Sequence, residues 1–151
     1  DVTIVAGGDT RYHSVQNGLK CVADDGIVFV HDGARPLITR QLIERCYAQA
    51  EALGSAIPAI PVAESVRVID GDGSKPVDRE HMRIIQTPQT FQTGIILPAF
   101  QQEYHASFTD EATVVEAFGQ KVHLVDGVRD NIKITTPEDM VIAEVLLKGR
   151  V

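Results

Sequence analysis

The chain has no tryptophan, only two cysteines, and aromatic side chains at 5% of its 151 positions. Three tyrosines and five phenylalanines, dispersed along the sequence, make no stacking platform of the kind that reads single-stranded RNA. Cys21 and Cys46 form neither a CxxC pair nor a metal-ligand spacing. Both fall in helical patterns and read as buried thiols, and a disulfide is the lesser reading for a chain of cytoplasmic character. No apolar run approaches the roughly 18 residues of a membrane span, and no signal peptide is visible. The expected compartment is therefore the cytoplasm, with no membrane partner. Positive charge is in deficit: 14 Lys and Arg against 21 Asp and Glu give a net charge of -7, which argues against non-specific nucleic-acid binding. Neither GxGxxG nor GxxxxGK[ST] occurs, so the dinucleotide fingerprint and the P-loop are both missing. The five histidines show no HExxH or paired metal spacing.

What is there suits one domain, residues 1–151, with a real hydrophobic core; 44% of residues are hydrophobic and 23% charged. The chain opens at Asp1 rather than methionine and enters an apolar run at once, with no leading β-α unit. It reads as a fragment, a processed chain, or a chain without its start. Val2–Ala6 is expected as a strand and Gly7-Gly8-Asp9 as a turn. Ser14–Val22 is expected as a helix, with Val15, Leu19 and Val22 at helical spacing. Ile27–His31 reads as a buried strand. Thr39 is the expected N-cap of a helix that runs to Leu53 and stops at Gly54. Ala56–Val62 and Arg83–Ile85 read as strands, Thr93–Gln102 and Thr109–Phe118 as helices, and Lys121–Val125 and Ile132–Ile134 as short strands. The last helix has Thr136 as N-cap, Pro137 at its first position, and acidic Glu138 and Asp139 in its first turn. Such alternation predicts an α/β fold with a mostly parallel sheet covered by helices. Residues 64–78 stand out: a weakly alternating run folds back through Asp70-Gly71-Asp72-Gly73 as a projecting hairpin.

The chemistry-bearing residues cluster at expected strand ends, where an open α/β sheet places its crevice. In His31-Asp32-Gly33-Ala34-Arg35-Pro36, Asp32 either coordinates Mg²⁺ beside a phosphate or caps the next turn. Arg35 either grips a phosphate in the bidentate manner or braces its loop. Gly7-Gly8-Asp9, with Arg11 and Ser14, either admits a ligand to the backbone or makes a tight turn with a capping serine. Lys133, between Ile132 and Ile134, points away from both isoleucines, to a solvated edge or to a phosphate in the crevice. Thr109-Asp110-Glu111 opens a helix, either as a cap or as a receiver of phosphate or hydroxyl groups.

Taken in order, these motifs resemble the 2-C-methyl-D-erythritol 4-phosphate cytidylyltransferase family of the non-mevalonate isoprenoid pathway. The matching residues are Gly7-Gly8-Asp9-x-Arg11-x-x-Ser14-Val15-x-x-Gly18-Leu19, His31-Asp32-Gly33-Ala34-Arg35-Pro36, Val77-Asp78-Arg79, Gln86-Thr87-Pro88-Gln89-x-Phe91, Thr109-Asp110-Glu111-Ala112 and Asn131-Ile132-Lys133-Ile134-Thr135. The resemblance implies a Rossmann-like nucleotidyltransferase fold, a three-layer sandwich with a projecting β-hairpin arm that joins two subunits. It implies transfer of CMP from CTP to methylerythritol phosphate with Mg²⁺ as cofactor. Lys133, beside the phosphates, and Asp32, serving the metal or the acceptor hydroxyls, would be catalytic. Gly8, Asp9 and Ser14 would hold cytosine, the Gly33 backbone the ribose, and Arg35 phosphate. Thr87 and Thr109 would line the acceptor site, and Ser65 and Arg79 would reach the partner subunit's acceptor phosphate. Ser65 stands where the family has threonine, preceded by Glu64 rather than aspartate. The family opens with a glycine-rich loop carrying an arginine and a lysine that wrap the triphosphate, and no residue here matches them. On that ground a chain of these residues alone is expected to lack turnover, as a fragment or interaction domain. Ribitol-5-phosphate cytidylyltransferase is the alternative enzyme, sharing the HD-x-x-RP and TPQ motifs.

Overall fold

A computed structural model describes residues 2–23 and 25–150. The elements, in chain order, are α1 (Arg11–Leu19), β1 (Ile27–Val30), α2 (Arg40–Leu53), β2 (Ser55–Pro61), β3 (Val66–Asp70), β4 (Gly73–Val77), a 3-10 turn (Arg79–His81), β5 (Arg83–Ile85), β6 (Gln89–Gln92), α3 (Thr93–Ala99), α4 (Glu111–Ala117), β7 (Leu124–Asp126) and α5 (Pro137–Lys148).

Successive strand side chains point to opposite faces, and here they feed two separate cores. Val28 and Val30 of β1, Ile57 of β2 and Phe91 of β6 pack with Leu19, Ile96, Phe100, Val114 and Val115, on the face covered by α1, α3 and α4. Ile27 and Phe29 of β1 and Ala56 of β2 pack with Leu42, Cys46 and Ala50 of α2 on the other face. This is the expected three-layer α/β sandwich. Its helices carry the expected punctuation. The Thr39 side chain accepts the Leu42 N–H at the start of α2, and Gly54 ends it at φ +88°. A Cβ at Gly54 would also meet Ile95 Cδ1 at 2.6 Å.

The sheet differs from the expectation in its ladders. β6 lies between β1 and β2, antiparallel to both. β5 continues antiparallel along β2, and among the described residues only β7 pairs with β2 in parallel. The strands β1, β2 and β7, which the alternation predicted, do run in one direction. The strand hidden in the Gln86–Phe91 motif intervenes and makes the sheet mixed. β5 and β6 occupy one edge of β2, but their registers differ: Ala56 lies opposite Thr90, whereas Ala59 lies opposite Ile85. Two extra residues are therefore looped out around Gln86–Pro88, where the Thr87–Pro88 peptide is cis.

Other expectations shift. Helix α1 starts at Arg11 because Thr10, not Ser14, caps it by accepting from the His13 N–H. Val2–Ala6 forms no ladder, and Val2 and Ile4 lie almost fully in solvent. Ile132–Ile134 is likewise not a strand. A single backbone bond from the Ile134 N–H to the Ala34 carbonyl (2.8 Å) pins it to the loop after β1. Among the described residues, strands β3 and β4 pair only with each other, in the register Val66↔Val77 to Asp70↔Gly73. Their two-residue turn begins with Gly71 at φ +59°, the left-handed conformation that glycine supplies without a Cβ penalty. This hairpin leaves Val68 and Ile69 exposed, stiffened by Arg67–Ser74 hydrogen bonds and a Lys75–Asp70 ion pair.

Candidate active site

The carboxylate of Asp32, just past the carboxyl end of β1, meets three cations. Lys133 Nζ lies 3.1 Å from Oδ2, Arg35 Nε 3.5 Å from Oδ2, and Arg11 Nη2 3.5 Å from Oδ1. They face a cavity of about 180 Å³, lined also by Gln86, Thr87, Gln89, Thr109 and Asp110. Partial burial alone would raise the Asp32 pKa; Lys133, with Arg11 and Arg35 behind it, reverses the effect and holds it below the ordinary carboxylate value.

A hydrogen-bond chain fixes the floor of this cavity. The Asp32 N–H donates to Thr87 Oγ1 at 3.0 Å, and Thr87 Oγ1 lies 2.9 Å from His31 Nδ1. His31 Nε2 lies 3.0 Å from the Arg35 carbonyl, which can only accept, so the proton sits on Nε2 and Nδ1 takes the Thr87 hydroxyl. The looped-out Gln86 side chain clamps the far wall. Its Nε2 donates to the Val128 carbonyl (2.8 Å) and its Oε1 accepts the Val128 N–H (3.1 Å). Asn131, fully buried, donates to the Thr87 carbonyl at 2.8 Å and receives Arg35 Nη1 on its own carbonyl at 2.8 Å. Arg35 is thus buried as a brace while its Nε, without a hydrogen bond, remains turned to Asp32.

The residues singled out in the sequence fall into three groups. Asp32, Arg35, Thr87, Thr109 and Lys133 line one cavity. Gly8 and Asp9 precede Arg11, and Ser14 follows it in the first turn of α1; Ser14 Oγ accepts the Gly8 N–H at 3.0 Å and donates to the Thr10 carbonyl at 3.0 Å. A Cβ on Gly8 would meet His13 Cβ at 2.5 Å, so this turn tolerates only glycine. Gly33 is exposed on the loop beside Asp32. Ser65 and Arg79 lie elsewhere, in a cavity at the base of the hairpin, where Arg79 Nη1 donates to the Ala63 carbonyl at 2.6 Å.

The partner of Arg11 and the role of Gln89 escape sequence reasoning. Arg11 grips Glu111 with both terminal nitrogens, at 2.5 and 2.9 Å. Glu111 is fully buried; burial raises its pKa above the ordinary carboxylate value, and the Arg11 fork only partly offsets this. In the sequence Glu111 reads as an ordinary acidic residue in the first turn of α4, and its motif position is the only signal. Gln89, on β6, similarly holds the α4 terminus, donating to Asp110 Oδ2 (2.9 Å) and accepting the Ala112 N–H (2.8 Å).

A cation-ringed cavity at a strand's carboxyl end, in a three-layer α/β sandwich, is the layout of a Rossmann-like nucleotide-handling protein. Residues 1–149 match the family described as IspD: 2-C-methyl-D-erythritol 4-phosphate cytidylyltransferase. The protein of that name from Phocaeicola vulgatus is 50% identical over 144 residues, 95% of this chain and 66% of that protein. The one from Bacteroides fragilis is 46% identical over 144 residues, with the same coverage. The crystal structure of the enzyme of that name from Thermus thermophilus superposes with a TM-score of 0.82 at 37% identity, covering 96% of this chain and 72% of that one. The chain belongs to the 2-C-methyl-D-erythritol 4-phosphate cytidylyltransferase family, and it spans 66% of the length of these curated relatives.

Proposed function

We propose that the protein transfers CMP from CTP to 2-C-methyl-D-erythritol 4-phosphate, releasing pyrophosphate and forming CDP-methylerythritol. The observation that carries this reading is the trio Arg11, Arg35 and Lys133 around Asp32, at the mouth of a cavity sized for phosphate groups. In the reaction a phosphate oxygen of the acceptor attacks the α-phosphorus of CTP, and pyrophosphate leaves with the bonding electrons. The transition state gathers negative charge on the transferring group. Catalysis is therefore mostly positioning and electrostatics. Lys133, half exposed on its pinned loop, supplies a cation to the phosphates. Asp32 orients it and keeps the Arg11 guanidinium at the same point. Gly8, Asp9 and Ser14 hold the cytosine, and the Gly33 backbone the ribose. Thr87 and Thr109 receive the acceptor, with Arg35 bracing the wall.

Among the described residues no three His, Cys, Asp or Glu side chains cluster as a ready-made metal site. Asp32, whose oxygens face Lys133, Arg35 and Arg11, would hold Mg²⁺ only by giving up one of these contacts, with substrate phosphates completing the site. Bound there, it would neutralise charge on the phosphates. The arm β3–β4, with residues 64–78, joins two copies, and Ser65 and Arg79 at its base serve the neighbour's acceptor phosphate. Support for this is that an isolated two-stranded hairpin is marginal in water, yet this one stands apart with Val68 and Ile69 exposed. The compartment proposed is the cytoplasm: no helix among the described residues is long and apolar enough to cross a membrane, and Cys21 and Cys46 are unpaired.

Pyrophosphate release is the test, with CTP or UTP as donor and methylerythritol phosphate or ribitol 5-phosphate as acceptor. CTP with methylerythritol phosphate should be preferred by orders of magnitude, because buried polar groups left unpaired by the wrong base discriminate strongly. Preference for ribitol 5-phosphate would move the protein to the cousin activity, and equal use of UTP would remove the cytosine assignment.

A further inference from the structure

We infer that Glu111 is a positioning residue that aims the Arg11 guanidinium at Asp32 and so makes Arg11 the third phosphate-facing cation of the cavity; this rests on the reading of that cavity as the site of phosphate chemistry. The geometry is specific. Both Glu111 oxygens are occupied by Arg11 Nη1 and Nη2, and no other side chain supplies a hydrogen bond to that carboxylate among the described residues. The side chain is wholly inside the protein, so the fork cannot swing with solvent as a surface pair would. Arg11 reaches across from α1, and its side chain is only 38% exposed. With one edge of the guanidinium spent on Glu111, Nη2 still lies 3.5 Å from Asp32 Oδ1. The planar fork makes this possible: arginine can hold one carboxylate bidentately and keep further N–H groups for another anion.

The pair also spans the site. The α1 end carries Gly8, Asp9 and Ser14, the α4 end carries Thr109, and the ion pair closes the 100-residue separation between them. The ion pair thus ties the two ends of the cavity together, beside the Tyr12–Phe108 ring contact. A purely structural tie would need the two side chains only to meet. Here the arginine lines the cavity as well.

Three variants test it: Arg11→Lys, which keeps the charge but lacks the planar fork that grips Glu111 with two nitrogens, Glu111→Gln, which keeps the shape, and the double variant. Arg11→Lys, at a partly exposed position, is the safeguard should Glu111→Gln fail to fold. Each single variant should lower kcat by about 10²-fold, the usual cost of a misplaced catalytic group, with KM for CTP changed by less than about threefold. The double variant should be no worse than the worse single one, since the two residues act as a unit. Normal kcat in folded Arg11→Lys and Glu111→Gln, with only the melting temperature lowered, would overturn the proposal. Should the unaltered protein release no pyrophosphate from CTP, the activity reading fails by itself. Calorimetry with inorganic pyrophosphate then decides the positioning role: binding about tenfold weaker in both variants supports it, and equal binding overturns it.

Discussion

Lys133→Ala separates a catalytic cation from a structural one. Lys133 lies 3.1 Å from Asp32, with 46% of its side chain exposed against 15% for Asp32. An ion pair this open contributes no more than about 1 kcal/mol to folding. Its loss does not strand Asp32 either, because Arg11 and Arg35 remain at 3.5 Å; a buried carboxylate left wholly unpaired would cost about 3–5 kcal/mol. The melting temperature should therefore fall by no more than about 2–4 °C, the shift that 1 kcal/mol produces in a domain of this size. Turnover should fall far more. Removing one preorganised donor to developing charge costs about 10²–10³ in kcat, or about 2.7–4 kcal/mol. The assay pairs pyrophosphate release at saturating CTP with thermal unfolding of the same preparation. A kcat within threefold of the unaltered protein would remove Lys133 from the chemistry. A collapse of the melting temperature would show that it holds the fold instead.

Three other outcomes are expected. Mixing Arg79→Ala chains with Lys133→Ala chains should restore activity at one site per dimer if the arm serves its neighbour, and confirmed mixing without recovery would limit each site to one chain. Asp139 accepts hydrogen bonds from the Thr135 and Thr136 N–H groups (2.9 and 2.8 Å) and from the Thr135 hydroxyl (3.0 Å), which depress its pKa from 3.8 to about 2. A depressed carboxylate stabilises the fold above its ordinary value and loses that contribution as pH falls through the depressed one, so α5 helicity by far-UV circular dichroism should decline between about pH 4 and pH 2, and Asp139→Asn should flatten that decline. Gly54→Ala places a side chain at φ +88° and 2.6 Å from Ile95 Cδ1; it should cost about 1–3 kcal/mol by denaturant unfolding, and an unchanged midpoint would count against the left-handed cap.

Local rules carry much of this fold. Thr39 and Gly54 bracket α2 as residue chemistry dictates, and Thr136 with Asp139 starts α5 through a reciprocal capping box. The hairpin turn follows from glycine at Gly71. What escapes is tertiary. The alternation of exposure at Ile132-Lys133-Ile134 imitates a strand, but no neighbouring strand pairs with it. Gln89–Gln92, polar and short, gives no periodic signal, although the buried packing of Phe91 makes it a central strand. At the site, Asp32 and Lys133 are legible as charges misplaced beside apolar runs. Glu111 is not, because nothing in one sequence distinguishes a capping carboxylate in the first turn of a helix from one buried against an arginine 100 residues away.

The offset between β5 and β6 has a consequence in parity. Ala56 faces Thr90 and Ala59 faces Ile85, so two residues of β2 answer four of the other chain, an even surplus. Side chains in a strand alternate with period two, and an even surplus leaves Ile85 and Phe91 on the face shared by the α1, α3 and α4 core. Deleting one residue from Gln86–Pro88 would invert one strand and bury its polar side. Deleting two would heal the ladder, keep every core side chain where it is, and leave the one remaining residue and Gln89 to pair with β2. Such a protein should fold without its cavity, which makes the seam a place where chemistry can be lost or rebuilt while the scaffold stays whole.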